Sequence, residues 1–344
     1  VEHKPAPKPK PAPPKPAPAP PPPPPAEEEE VKPEISEALQ KVVGVELENI
    51  SVYPGAVEGG SLGEYHITDI IASHARATVF KAEESDGNGP DLAIKMFNPD
   101  LAEDADITKL IDKIAEFQSN MEDPNIVRLL ATAELEDAKV LVYEYLPWNL
   151  DTLFKEYPDG LPYEMIEDYM RQVCNGVGYA HTHRGKDAVV RRLPHLNLKI
   201  TKLLLDEEKK VIKIDDFGVG KALQEIRGHK KHLYDEPGAD LGSTPPEAFV
   251  LRSKSVKPLS ADIYSLGVTF YRLTTGKYPF EGKDMEEYKF AHLKKFPIPP
   301  KVHRYDCPEW LDAMILKCLE KDPDHRWRSA TEMEMAVGKS SGKE

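Results

Sequence analysis

"HLNLKITKLLLDEEKKVIKIDDFG" (195–218) is the stretch on which the reading of this sequence turns. Two short apolar runs, "LLL" (203–205) and "VIKI" (211–214), flank the charged turn "DEEKK", a pattern that predicts two small strands. The second run leads into a pair of carboxylates, Asp215 and Asp216, followed by Phe217 and Gly218. Upstream stand an amide, Asn197, and two ammonium groups, Lys199 and Lys202.

The chain differs in character on either side. From residue 64, "EYHITDIIA", "ATVFKAEE" and "DLAIKMF" are β-branched or apolar runs separated by turn residues, and predict three antiparallel strands. A helical pattern over 104–121 and two further strand-like runs, "IVRLLATAEL" and "AKVLVYEYL", follow. Beyond Pro147 helical spacing dominates: over 163–181, Ile166, Tyr169, Met170, Val173, Cys174 and Val177 share one face. Helices are also predicted over 260–276, 284–295 and 308–321. A strand-rich half before a helix-rich half implies an α+β protein of two lobes with a cleft between them.

Composition bounds the rest. Of 33 prolines, 14 fall within residues 5–25, "PAPKPKPAPPKPAPAPPPPPP", a tract with little to bury and few backbone donors. It predicts an extended arm reaching on the order of 60 Å, read first as a spacer and second as a ligand for an SH3- or WW-type groove. Net charge is −14, and residues 1–30 hold only four Lys and five Glu of it, so the folded part is itself acidic. That argues against nucleic acid or an anionic membrane as the main partner. Cys174, Cys307 and Cys318 lack metal-site spacing and read as reduced core residues of a cytoplasmic-type protein. No apolar run is long enough to span a membrane, while the start at Val1 leaves room for an upstream domain or anchor.

"LAIKMF" (92–97), "DPNIV" (123–127), "IDDFG" (214–218), "DIYSLGVTFYRLTTGKYPF" (262–280) and "EKDPDHRWRS" (320–329) occur in an order that resembles the protein kinase fold, particularly bacterial-type serine/threonine kinases. The resemblance covers residues 64–338 and implies a small β-rich N-lobe (64–146) and a larger helical C-lobe (147–338). Around it, 1–30 is expected to be a disordered proline-rich arm with an acidic end, 31–63 a short helix and linker, and 339–344 a disordered tail. The resemblance also implies that Asp262 ties a helix to the catalytic loop and that Glu247 pairs with Arg326.

The phosphotransfer motifs depart from the family pattern. Its three loop glycines are replaced by Ala72, His74 and Ala77, although Val79, which would cover an adenine, is kept. Lys95 matches the phosphate-binding lysine, but the helix position expected to hold its glutamate partner falls on Ile114, with Glu116 on another face. Lys95 is therefore expected to pair with Asp216. In "HLNLKITK" His195 is retained, Leu196 replaces Arg, Asn197 replaces the aspartate base, Lys199 is kept, Ile200 replaces Pro, and Lys202 replaces the metal-binding asparagine. An amide is no base near neutral pH. An ammonium at Lys202 predicts a contact with Asp216 in place of a metal ion.

Tyr143, at the gatekeeper position, should narrow the adenine pocket. "GSTPPE" (242–247) shortens the substrate platform, leaving Ser243, Thr244 and Tyr234 as weak phosphosite candidates. His181 and His183 are explained by their place at a helix end, and "RGHKK" (227–231) reads as a solvated basic loop or, second, as a docking patch for an acidic partner. These departures predict a pseudokinase: no enzyme, a scaffold or regulatory binding module for protein partners, with no required cofactor. ATP is the candidate ligand at Lys95, Val79 and Asp216, and magnesium a candidate only at Asp216. The alternatives are a slow, divergent serine/threonine kinase and a nucleotide-binding switch without transfer.

Overall fold

The structure is a computed structural model that describes residues 51–52, 65–73, 77–84, 87, 89–97, 107–118, 121–135, 138–184, 192–222, 241–250 and 257–340. The proline-rich arm, the helix expected near 33–44, His74, "RGHKK" and Tyr234 lie outside the described residues.

Strands β1 (Ser51–Val52), β2 (Tyr65–Ser73), β3 (Ala77–Glu84), β4 (Leu92–Phe97), β5 (Leu129–Leu135) and β6 (Ala138–Glu144) form one antiparallel sheet in the order β1-β2-β3-β4-β6-β5. β1 falls in the region expected to be linker: Val52 pairs with Tyr65 and Ser51 with His66 at the sheet edge. The run "LAIKMF" is apolar nearly throughout because both of its faces are covered. Leu92, Ile94 and Met96 join an upper core with Phe80, Val140 and Val142. Phe97 joins the lower core, where helix α1 (Ile107–Gln118) contributes Leu110, Ile111 and Ile114. Lys95 shares the face of Phe97 by strand alternation, so the sheet aims its side chain toward the other lobe.

The C-lobe contains α2 (Leu150–Leu153), α3 (Tyr163–Thr182), α4 (Pro246–Val250), α5 (Pro258–Thr275), α6 (Met285–Lys294), α7 (Pro300–His303), α8 (Glu309–Cys318) and α9 (Ala330–Ser340). The stripe predicted on α3 is buried along its length. Helix α5 starts with Pro258 in its first turn and ends at Gly276, whose φ of 71° and close approach to the Pro158 carbonyl oxygen admit no side chain. Helix α9 runs to Ser340, beyond the expected boundary at 338.

A second sheet, β7 (Trp148–Asn149), β8 (Leu203–Leu205) and β9 (Ile212–Ile214), contains the strand pair predicted around "DEEKK". The lobes are stitched together where Val127 N donates to Ile214 O at 3.0 Å and Ile214 N to Asn125 O at 2.9 Å. "DPNIV" thus fixes where "IDDFG" begins.

Glu247 and Arg326 meet in a two-pronged pair, both contacts at 2.8 Å, and the buried guanidinium also donates to the Ser260, Glu320 and Lys321 carbonyls. Every direction of the Arg326 fork is used, so the pair satisfies the geometry that makes burial tolerable. Glu247→Ala leaves this cation without its counter-ion and should destabilise the domain by about 3–5 kcal/mol. A lowered urea midpoint measures the loss, and the milder Glu247→Gln should lose less.

Candidate functional site

One carboxylate holds the 195–202 loop in place. Asp262, buried in α5, accepts hydrogen bonds from His195 N (2.7 Å) and Leu196 N (2.8 Å) and pairs with the His181 ring Nε2 at 2.8 Å. Leu196 takes a positive φ of 63°, a conformation costing a non-glycine residue roughly 1–3 kcal/mol. The two backbone bonds to Asp262 hold it there. His181, expected to be explained by its helix-end position, is instead a partner of Asp262, reached across 81 residues of sequence.

His195 spans the loop and the strand end: Nε2 donates to Asp215 O at 2.7 Å and Nδ1 accepts from Asn197 N at 3.2 Å. With one nitrogen donating and the other accepting, the ring is neutral, and burial lowers its pKa in the same direction. Its edge meets the Phe217 ring at 4.9 Å between centroids. Asp216 has a φ of 68° and Gly218 one of 81°, and a side chain on Gly218 would crowd Phe117.

From Phe217 the network crosses into the N-lobe. Gln118, the last residue of α1, donates its amide to Phe217 O at 2.6 Å and accepts the Tyr143 hydroxyl at 2.9 Å. Burial, reinforced by the charges of Asp215 and Asp216, pushes the Tyr143 phenol well above its ordinary pKa, so it remains a donor. Nothing in the sequence reading singled out Gln118. Its position four residues after Ile114 places it one helical turn on, over the same face, which is the signal available in hindsight. Ile114 itself is buried, while Glu116 faces outward beside Lys113 at 3.6 Å.

Strand register places Lys95 between Val79 and Leu141. Its ammonium bonds to Asp216 Oδ1 and lies 3.8 Å from Asp215 Oδ2. Lys202 Nζ is 2.6 Å from Asp216 Oδ2 and 3.6 Å from Asp215 Oδ2. The contact expected between Lys202 and Asp216 is therefore present, as is that between Lys95 and Asp216. Burial alone would raise the Asp216 carboxyl, but the ammonium groups of Lys202 and Lys95 overcome it and hold the group well below the usual carboxylate range. Two cations and two anions form a quartet of zero net charge.

The quartet borders a cleft of about 750 Å³ including its open mouth, walled by Ile71, Val79, Tyr143, Thr201, Lys202 and Asp215, among others. Asn197 and Lys199 are not among the residues walling it. A divalent ion does not fit the donor set at Asp216: both carboxylate oxygens already face ammonium groups, and Lys202 supplies a cation where an oxygen ligand is needed. Among the described residues no three carboxylates, imidazoles or thiols converge as a metal site. Ser243 and Thr244 are both buried, which removes them as accessible phosphosites in this conformation.

The protein kinase domain family matches residues 65–336. The chain belongs to that family. Its kinase domain is 28% identical over 243 residues to a probable serine/threonine-protein kinase of Clostridium perfringens, covering 70% of this chain and 33% of that protein. It is 27% identical over 279 residues to the serine/threonine-protein kinase PrkC of Bacillus subtilis, covering 80% and 40% respectively. The chain thus spans only about a third to two fifths of the length of these relatives. In fold it resembles the crystal structure of Rad53 1–466 in complex with AMP-PNP, with a TM-score of 0.61 at 20% identity, covering 78% of this chain and 64% of that one. These matches confirm the two-lobed α+β kinase fold. They overturn the expectation of a non-enzyme, since the relatives are named as serine/threonine protein kinases. Among the described residues no helix is long and apolar enough to cross a membrane.

Gln118→Leu should leave the Tyr143 hydroxyl and the Phe217 carbonyl buried without partners, at about 1–3 kcal/mol each. Adding Tyr143→Phe should then cost less than in the native background. A double-mutant cycle by chemical denaturation reads the coupling, which should fall near 0.5–3 kcal/mol.

Proposed function

We propose that this domain is a divergent serine/threonine protein kinase that binds a nucleoside triphosphate between its lobes and transfers the terminal phosphoryl group slowly. The observation that carries this reading is that two ammonium groups, Lys95 and Lys202, both wall the cleft between the lobes. A polyphosphate is the ligand that could exchange with Asp215 and Asp216 for these two cations. Family membership supports the reaction class, and Lys199, although outside the cleft wall, matches the family lysine that neutralises the transferred phosphate.

In that reaction an acceptor hydroxyl oxygen bonds to the terminal phosphorus as the bond to the bridging oxygen breaks, and the nucleoside diphosphate leaves. Asn197 cannot take the hydroxyl proton, so it passes to a phosphate oxygen or to water. Loss of a side-chain base lowers the rate by about 10²–10⁴-fold. Positioning and charge, which supply most of phosphoryl transfer through a loose transition state, remain. Because the ammonium of Lys202 stands where a metal ligand would be, nucleotide binding is expected not to require a divalent ion.

Nucleotide-induced thermal stabilisation should persist in a chelator, and Lys202→Asn should make it metal-dependent. Strict magnesium dependence of the native protein would sink the role given to Lys202. Radiolabelled phosphotransfer should be slow, abolished by Lys95→Ala and raised about a hundredfold by Asn197→Asp, the low end of what a positioned base contributes. No incorporation by either the native protein or Asn197→Asp refutes the transfer reading.

A further inference from the structure

Nine large apolar side chains are exposed among the described residues, and five of them, Phe290, Phe296, Ile298, Val302 and Tyr305, fall within sixteen consecutive residues. Phe296 is 87% exposed and Tyr305 97%. Apolar residues scattered singly over a surface need no explanation, but five within sixteen residues make this stretch the candidate for a contact surface. The stretch runs from the end of α6 through α7, with the Lys295 ammonium 6.0 Å from the Phe290 ring centroid, so charge and apolar surface are interleaved.

Its charge is opposite to that of the chain. Residues 289–305 contain Lys289, Lys294, Lys295, Lys301 and Arg304 and no carboxylate, in a protein of net charge −14. Lys289 lies beside Glu286, Lys301 near Asp312, and Arg304 donates to backbone carbonyls and lies 3.8 Å from the Asp306 carboxylate that borders the stretch. Lys294 and Lys295 have no ion-pair partner among the described residues.

We propose that this face docks the chain's own acidic segment, residues 27–50. That segment, "EEEEVKPEISEALQKVVGVELENI", holds eight Glu against two Lys, and it spaces Ile35, Leu39, Val42 and Val43 so that one apolar side can face a partner. It offers the patch both things its chemistry asks for, carboxylates for the unpaired lysines and aliphatic side chains for the exposed rings. A net negative charge elsewhere on the chain disfavours non-specific binding of the segment, whereas the patch offers it cations. This surface is separate from the cleft and does not depend on the function proposed for it.

Zero-length carboxyl-to-amine cross-linking of the full chain, read by mass spectrometry, tests the assignment. Links from Glu27–Glu37 should concentrate on Lys294, Lys295 and Lys301, and their yield should drop about tenfold when salt is raised from about 0.05 to about 0.5 M. The triple variant Phe296→Ser, Ile298→Ser, Tyr305→Ser, which changes only exposed side chains, should lose them at low salt too. Mixing isotopically labelled and unlabelled protein tells whether the segment docks within one chain or onto another copy; either result supports the occupant. Links spread evenly over surface lysines, or unaffected by the triple variant, overturn the proposal. So do patch-to-patch amine cross-links between copies, or co-sedimentation with phosphatidylserine vesicles that the triple variant abolishes while no glutamate links form.

Discussion

The loop that carries the chemistry of this fold is not self-supporting. Leu196 sits at a positive φ that its side chain disfavours, and it stays there because the Asp262 carboxylate takes both its backbone N–H and that of His195. His181 completes the set of donors, so a buried charge that would otherwise be costly is matched. From Asp262 the constraint passes through His195 to the Asp215 carbonyl, through the packing of its ring to Phe217, and through Gln118 to Tyr143. A single chain of contacts therefore runs from the central helix of the C-lobe to the sheet of the N-lobe.

The same chain of contacts explains how the site keeps its shape although its usual stabilising ion pair is absent. With Ile114 buried where a glutamate would be, α1 cannot anchor Lys95 by charge. The helix is held by Gln118 instead, through neutral hydrogen bonds to a carbonyl and a phenol. Lys95 turns to Asp216, and Lys202 matches it on the other carboxylate oxygen. Positioning of the helix and neutralisation of the cleft, joined elsewhere in one ion pair, are here carried by two separate sets of residues.

What could be read from the sequence follows from how each interaction is encoded. Lys95, Asp216, Asp262, Glu247 and Arg326 sit within short motifs whose order fixes the fold, so their contacts followed once the motifs were recognised. The Lys202–Asp216 contact was legible because an ammonium replaced an amide at a position beside a carboxylate. Gln118 was not, because it lies in no motif and its partner Phe217 is 99 residues away. The role of His181 was hidden in the same way, and a helix-end position gave it an adequate but incomplete explanation. Ser51–Val52 is too short and too far from other strand signals to be separated from a linker by pattern alone. The burial of Ser243 and Thr244 depends on packing against α5, where Ser265 binds the Ser243 carbonyl, and no local feature announces it.

The quartet also sets a condition on any anion that enters the cleft. Lys95 and Lys202 are already matched by Asp215 and Asp216, so a polyphosphate does not meet two free cations but competes with two carboxylates for them. Water is partly excluded there, and charge interactions weaken with distance less than at the surface. A ligand that drew either ammonium away would leave Asp216 short of charge, and the residue most directly bound to that change is Phe217, its neighbour in sequence. Phe217 is held by Gln118, and Gln118 by Tyr143 at the back of the same cleft. Gln118 is therefore the side chain that joins the backbone beside the quartet to the phenol at the wall of the cleft.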